Sequence, residues 1–106
     1  MDITSSRREL VRLAKALLAR EIDTIEGLRL MNSLRAFLPE SDDPVFHTIT
    51  ALESETDDVP VGKLRTEYDP TYLAALDKEM GRYLPLNEDA LFGDLREIIK
   101  RYDTGL

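Results

Sequence analysis

Four carboxylates stand within six residues near the middle of the chain, at Glu53, Glu55, Asp57 and Asp58. Clustered carboxylates can hold Ca²⁺ or Mg²⁺, act as a general acid and base, or attract a basic partner. An EF-hand would require a twelve-residue loop with a glycine at its sixth and a glutamate at its twelfth position, and this segment lacks them. We therefore interpret the segment as a surface for a basic protein partner, and metal-assisted hydrolysis is the least favoured alternative.

The other residues with catalytic potential do not form a recognisable set. His47 is the single histidine, there is no cysteine, and no serine stands in the context of an activated nucleophile. Gly62-Lys63 resembles the end of a phosphate-binding loop, but the earlier glycine and the following Ser or Thr are missing. The sequence predicts a protein that is not an enzyme and that has no metal site and no cofactor.

Two tyrosines follow the acidic segment and are predicted to anchor the same partner. Tyr68 and Tyr72 flank Asp69-Pro70, and tyrosines at interfaces combine apolar area with a polar tip. Tyr83 and Tyr102 fit helical apolar stripes, so their default assignment is to the core. The predicted partner-binding residues are therefore Glu53, Glu55, Asp57, Asp58, Tyr68 and Tyr72.

The charge of the chain also favours a basic partner. Twenty-one acidic residues oppose 14 Lys and Arg, which gives a net charge of −7. This charge disfavours direct binding to nucleic acid or to anionic membranes. The first residues carry neither a secretory signal nor a membrane span, so we expect a cytoplasmic protein. Lys63 and Arg65 directly follow the acidic segment, and pairing with Asp57 or Asp58 would hold it in one shape.

Helical periodicity runs through most of the sequence and is interrupted at the acidic segment. Ser6 and Glu9 have the spacing of a capping box at the start of helix one, which is predicted to end near Ala19. Asp23 and Glu26 repeat this spacing before helix two, which ends before a proline at position 39. Gly27 in this helix would permit a close helix crossing.

Two Asp-Pro pairs predict the starts of helices three and four, at Asp43-Pro44 and Asp69-Pro70. Positions 61–68 between them have room for a single helical turn. Pro85 is expected to break or kink helix four, and Asn87 to cap the last helix. The apolar face predicted for helix four consists of Tyr72, Leu73, Leu76, Met80, Tyr83 and Leu84.

No segment alternates between apolar and polar residues in the manner of a strand. The predicted fold is therefore all-α, with residues 1–106 forming a single-domain bundle of four to five helices. A long acidic loop is expected between helices three and four, and a frayed tail at residues 103–106.

Several runs of residues carry a resemblance to known proteins. The most specific is Ser-Glu-Thr-Asp-x-x-Pro-x-Gly at positions 54–62, and the others are Glu21-Ile22-Asp23-x-Ile25-Glu26-Gly27-x-Arg29, Leu34-Arg35 and Arg65. Over residues 10–102 the chain resembles a family of small bacterial proteins of unassigned function. Members of this type look like immunity proteins of bacterial antagonism systems, which are small, acidic, helical, stoichiometric inhibitors.

The run Asp57-Asp58-Val59-Pro60-Val61-Gly62 is also similar to the immunity proteins of nuclease colicins. Those four-helix proteins carry an acidic stretch that leads into a Pro-x-Gly turn beside interface tyrosines. This chain has Leu52-Glu53 where they have an adjacent tyrosine pair. Both resemblances imply an inhibitor that binds a basic toxin domain. The alternative from the residues themselves is a helical adaptor or self-associating module.

Overall fold

A computed structural model describes residues 2–103, and all regular structure in this range is helical. The five α-helices are α1 (Ile3–Leu18), α2 (Thr24–Arg35), α3 (His47–Glu55), α4 (Pro70–Leu86) and α5 (Glu88–Tyr102), and two 3₁₀ helices span Pro44–Phe46 and Gly62–Glu67. The all-α prediction is confirmed for the described residues. Met1 and residues 104–106 of the predicted domain, including the end of the predicted tail, lie outside them.

Three of the predicted helix starts are capped by the predicted aspartates. Asp23 accepts a hydrogen bond from the backbone N–H of Glu26, and Asp43 accepts one from Val45. Asp43 thereby caps the 3₁₀ helix Pro44–Phe46, and α3 follows it from His47 without a side-chain cap of its own. Asp69 accepts one from Thr71 at 2.7 Å. An aspartate in extended conformation followed by a helix-compatible proline or threonine satisfies the free N–H groups of the first turn, so these starts are determined locally.

The capping box predicted at Ser6 is wrong. Helix α1 begins earlier, with Asp2 as its cap, and the Asp2 carboxylate accepts the N–H of Ser5 at 2.7 Å. Ser6 therefore lies inside the helix, where its side chain is fully buried, and Glu9 pairs with Arg12 on the surface. The carboxylate at Asp2 provides a cap one turn earlier, and this allows the extra turn to pack.

Four helices, α1, α2, α3 and α5, form a bundle around one apolar core. Helix α1 packs against both α2 and α5, and α3 packs against α2 and α5. A Cβ added to Gly27 would come within 2.7 Å of Leu17 Cδ2, so the predicted close crossing of α1 and α2 is confirmed. The largest fully buried apolar residues of this core are Phe46, Leu10, Leu13, Leu28, Met31, Ile49, Leu95 and Ile98.

The carboxyl end of α5 is held to this bundle by charged and aromatic side chains. Arg7 of α1 and Tyr102 of α5 both donate to Glu40, at 2.7 and 2.8 Å. Arg101 pairs with Asp43 at 2.9 Å, and Lys15 pairs with Asp103 at 2.7 Å. Asp103, the first residue of the predicted frayed tail, is therefore held by an ion pair.

Helix α4 differs from the others, since none of its 17 residues is buried. Its predicted apolar face is thus not part of the core, although Tyr83 packs partly against it. The helix continues through Pro85 and ends at Leu86. A proline in the last turn removes only one local hydrogen bond, so it does not break the helix before that point. Asn87 makes no side-chain cap for α5 and instead donates to the carbonyl of Tyr83.

Within residues 2–103, no helix has both the length and the apolar content needed to cross a bilayer.

Candidate partner-binding surface

The structure divides the four predicted carboxylates between a helix end and a turn. Glu53 and Glu55 belong to the last turn of α3, and Asp57 and Asp58 follow in a short turn. The irregular connection before the second 3₁₀ helix spans only residues 56–61, so the long acidic loop predicted from the sequence is not present. We call residues 56–59 the acidic turn.

The acidic turn is anchored from beneath by Thr56, Val59 and Arg29. Thr56 is fully buried, and its hydroxyl donates to the carbonyl of Leu52 at 2.7 Å. The N–H of Val59 donates to the carbonyl of Thr56 at 3.0 Å, and the Val59 side chain is buried. These contacts direct the inner residues of the turn into the core and leave Asp57 and Asp58 exposed.

Arg29 of α2 completes this anchor. Its guanidinium group donates to the carbonyl of Thr56 at 2.7 Å and also to the carbonyl of Val59. A guanidinium presents its donors in a fixed planar fork, so one side chain can bind both carbonyls of the turn. The backbone around Asp57 and Asp58 is therefore held in one arrangement.

The predicted pairing of Lys63 or Arg65 with the acidic turn is wrong for Arg65. Arg65 donates to the Asp77 carboxylate of α4 at 2.8 Å and to the carbonyl of Pro60 at 3.4 Å. Within residues 2–103, no ion pair involves Asp57 or Asp58. Their charges are thus available to a partner, while Arg65 joins the second 3₁₀ helix to α4.

The two glutamates of the cluster have partners within the protein. Glu53 is half-buried and accepts a hydrogen bond from the Asn32 side chain at 3.2 Å. Glu55 is exposed and accepts the hydroxyl of Tyr83, which links the end of α3 to α4. Of the four predicted carboxylates, Asp57 and Asp58 are therefore the most available to a binding partner.

Tyr68 and Tyr72 form a stacked aromatic pair at the start of α4. Their ring centroids are 6.0 Å apart, and their planes differ by 19°. The exposed fraction is 40% for Tyr68 and 46% for Tyr72. Asp69 caps α4 between them, and Leu64 on the preceding 3₁₀ helix is also half exposed. No hydrogen bond or ring contact in the described range joins this pair to the acidic turn.

A groove of about 610 Å³ separates α4 from the bundle. Its floor contains buried leucines of α1, α3 and α5, and its sides contain half-buried residues of α4 and α5. Residues 59–62 also line the groove, and Gly62 has the positive φ of 60° that favours glycine. The principal apolar residues of the groove are Leu17, Leu52, Leu91, Met80, Leu84 and Phe92.

Three polar contacts tie α4 and its junction with α5 to the rest of the protein. Tyr83 reaches Glu55, Arg65 reaches Asp77, and Arg20 of α1 pairs with Glu88 at the start of α5. No local sequence pattern indicates these contacts or the groove. Only the glycine at position 81 of α4 was a possible signal, because glycine in a helix interior weakens the helix.

His47 is exposed at the start of α3. Among residues 2–103, no group of three or more acidic or histidine side chains is placed to hold a metal ion. The arrangement consists of exposed carboxylates, exposed aromatic rings and an apolar groove, which are features of molecular recognition.

Comparison of the chain with protein-family models, with curated proteins and with solved structures gives no match. The resemblance to immunity proteins therefore stays a prediction.

Proposed function

We propose that this protein is a stoichiometric protein-binding inhibitor, an immunity protein that neutralises a basic bacterial toxin domain without catalysis. The observation that carries the proposal is the acidic turn: Asp57 and Asp58 are exposed, and no ion pair within residues 2–103 neutralises them. Arg29 holds the backbone of the turn beneath them. A rigid, unpaired carboxylate pair loses little conformational entropy when it meets a cationic surface.

Electrostatic attraction would bring the partners together. With a net charge of −7, the chain attracts a basic domain over a distance set by the ionic strength. Charge complementarity chiefly increases the association rate. Asp57 and Asp58, together with Glu53 and Glu55, would supply this attraction in the proposed complex.

The stacked tyrosines would then slow dissociation. Tyr68 and Tyr72 expose large apolar rings that have little rotamer freedom to lose, and such residues are frequent anchors of tight interfaces. A toxin domain blocked in this way would be inhibited one to one.

The test begins with a co-purified basic partner from the native host and measures association and dissociation at several salt concentrations. We expect association to slow steeply with salt, and Asp57→Asn/Asp58→Asn to slow it further. Glu21→Gln/Asp42→Asn is the matched control, since it removes the same charge at exposed sites elsewhere. Tyr68→Ala/Tyr72→Ala should mainly speed dissociation. Salt-independent association, or equal effects of the two charge variants, would contradict the proposal.

A second function, self-association as a helical module, is favoured by one observation. Helix α4 has no buried residue, and its apolar side chains would be covered if two copies packed together. Sedimentation over a wide range of protein concentration separates the two functions. A dimer that dissociates on dilution and is lost in Leu76→Lys would support self-association, and a monomer at all concentrations would reject it.

A further inference from the structure

We propose that the groove between α4 and the bundle receives an amphipathic helix of the basic partner, with its apolar side chains inside the groove and its lysines or arginines at the edges. This inference rests on the proposed function, because it specifies how the same partner is held after the acidic turn has attracted it.

The size and the lining of the groove fit an apolar insertion. Its volume of about 610 Å³ leaves room for apolar side chains of a partner. Met80, Leu84 and Phe92 are only partly covered in the free protein. An apolar occupant would remove this surface from water, which is the main source of favourable free energy in such contacts.

The second half of α4 forms one side of the groove, where Asp77, Met80, Gly81, Leu84 and Pro85 line it. This stretch of the helix is about 12 Å long, so it can lie beside about two turns of another helix. In this mode of binding, residues spaced by three, four and seven positions enter the groove as anchors.

Gly81 leaves the groove open at the middle of α4. It lines the groove, and a Cβ placed on it would meet no heavy atom within 4 Å. No steric conflict in the free protein therefore requires glycine here, although glycine weakens a helix relative to alanine. An approaching partner side chain would account for it. Gly93 of α5 has the same free space but does not line the groove.

The charges around the groove select a cationic occupant. Six charged side chains line it, at Arg20, Asp23, Glu26, Arg65, Asp77 and Glu88. Both arginines are paired within the groove wall, Arg20 with Glu88 and Arg65 with Asp77. The excess charge is negative and lies at the start of α2, where the Asp23 carboxylate caps the helix and Glu26 is exposed. A second copy of the chain also carries a net charge of −7, so overall charge repulsion opposes its approach and favours a basic occupant instead.

The chain contains no tryptophan, so a peptide with one tryptophan reports its own binding by fluorescence. The probe is a synthetic leucine/lysine peptide with an apolar helical face that carries the tryptophan. One control peptide has the same composition in scrambled order, and another has glutamate in place of lysine. We expect a blue shift that saturates at one peptide per protein for the first peptide, and much weaker binding of both controls.

The protein variants then place the peptide in the groove. Gly81→Leu fills the groove and should weaken peptide binding about tenfold or more, whereas Gly93→Leu should leave it within about twofold. Gly81→Ala and Gly93→Ala form a milder pair that retains helix content. Glu26→Gln should weaken binding more than Glu21→Gln, which removes the same charge outside the groove.

Equal affinity of the Gly81 and Gly93 variants, or equal binding of the scrambled peptide, would overturn the inference. So would a dimer in sedimentation that only the Gly81 variants abolish, because a second copy would then occupy the groove. Each of these results leaves the proposed function intact if Asp57→Asn/Asp58→Asn still slows association with the basic partner. If that effect is absent while the peptide still binds in the groove, the proposed function fails instead.

Discussion

Two helices of nearly equal length, α1 and α4, have opposite positions in this protein. Helix α1 buries seven of its 16 residues, while α4 buries none of its 17. Both have apolar side chains at helical spacing, so the spacing alone does not explain the difference. Helix α1 packs between α2 and α5, whereas α4 packs chiefly against α5 and borders a groove. The comparison teaches that an amphipathic face is stabilised only where a second surface covers it.

The largest expected effect is the difference in stability lost when a leucine is shortened in the bundle core and on α4. Leu95→Ala in the core should lower the free energy of unfolding by about 2–5 kcal/mol, because Leu95 is fully buried. Leu76→Ala on α4 should cost only about 1 kcal/mol, since Leu76 is half exposed and loses less transfer energy. Urea denaturation followed by circular dichroism measures both. Equal losses would show that α4 is packed as tightly as the bundle.

A smaller effect is expected where the bundle supports the acidic turn. Arg29→Met keeps the aliphatic stem but removes the donors to Thr56 and Val59, so we expect a loss of about 1–3 kcal/mol. Hydrogen exchange should show faster exchange of the Val59 amide, which donates to the carbonyl of Thr56. Arg29→Lys, which keeps the charge, is the control and should lose less. An unchanged Val59 amide would mean that the turn does not depend on Arg29.

The ion pair at the end of the bundle should make stability depend on acid pH. Burial opposes ionisation of Glu40, but backbone hydrogen bonding and the donors Tyr102 and Arg7 outweigh it, so the pKa of Glu40 lies below its usual 4.5. Because this pKa is depressed in the folded state, the stabilisation is present above the unfolded pKa and disappears as the pH falls through the folded pKa.

Glu40→Gln should therefore be less stable than the unchanged protein at neutral pH, and the difference should shrink as the pH falls below 4.5 and through the lowered pKa of Glu40. Denaturation at a series of pH values measures it. Burial, followed by the hydrogen bond to Glu40, raises the pKa of Tyr102 to about 12. Tyr102→Phe removes one donor to Glu40, so it should reduce the loss of stability that Glu40→Gln causes. A stability difference that stays constant with pH would contradict this account.

The smallest effect is expected for the ion pair that holds α4. Asp77→Asn breaks the contact with Arg65, but this pair is partly exposed, so the loss should be about 0–1 kcal/mol and should vanish at high salt. Glu79→Gln, on the same helix and exposed, is the control. A loss as large as that of Arg29→Met would indicate that charge fixes α4 firmly to the bundle.

The helix starts were the most predictable part of this protein. Asp23, Asp43 and Asp69 cap the helices that the sequence placed after them, because a cap depends only on residues within one turn. Ser6 was misassigned since two residues near the start of α1 could serve as caps, and Asp2 does so. The six proposed binding residues were named from charge and residue type, but the sequence could not show which of them have internal partners.

What the sequence by itself determined is the helical fold, its order of elements and its negative charge, all of which follow from local periodicity and composition. Only the tertiary structure decided which apolar face is covered and which carboxylates are unpaired. Arg29 supports a turn that lies 27 and 30 positions further along the chain, and Tyr83 meets Glu55 across 28 positions. Such contacts depend on how separate helices approach one another, and no local pattern specifies that approach.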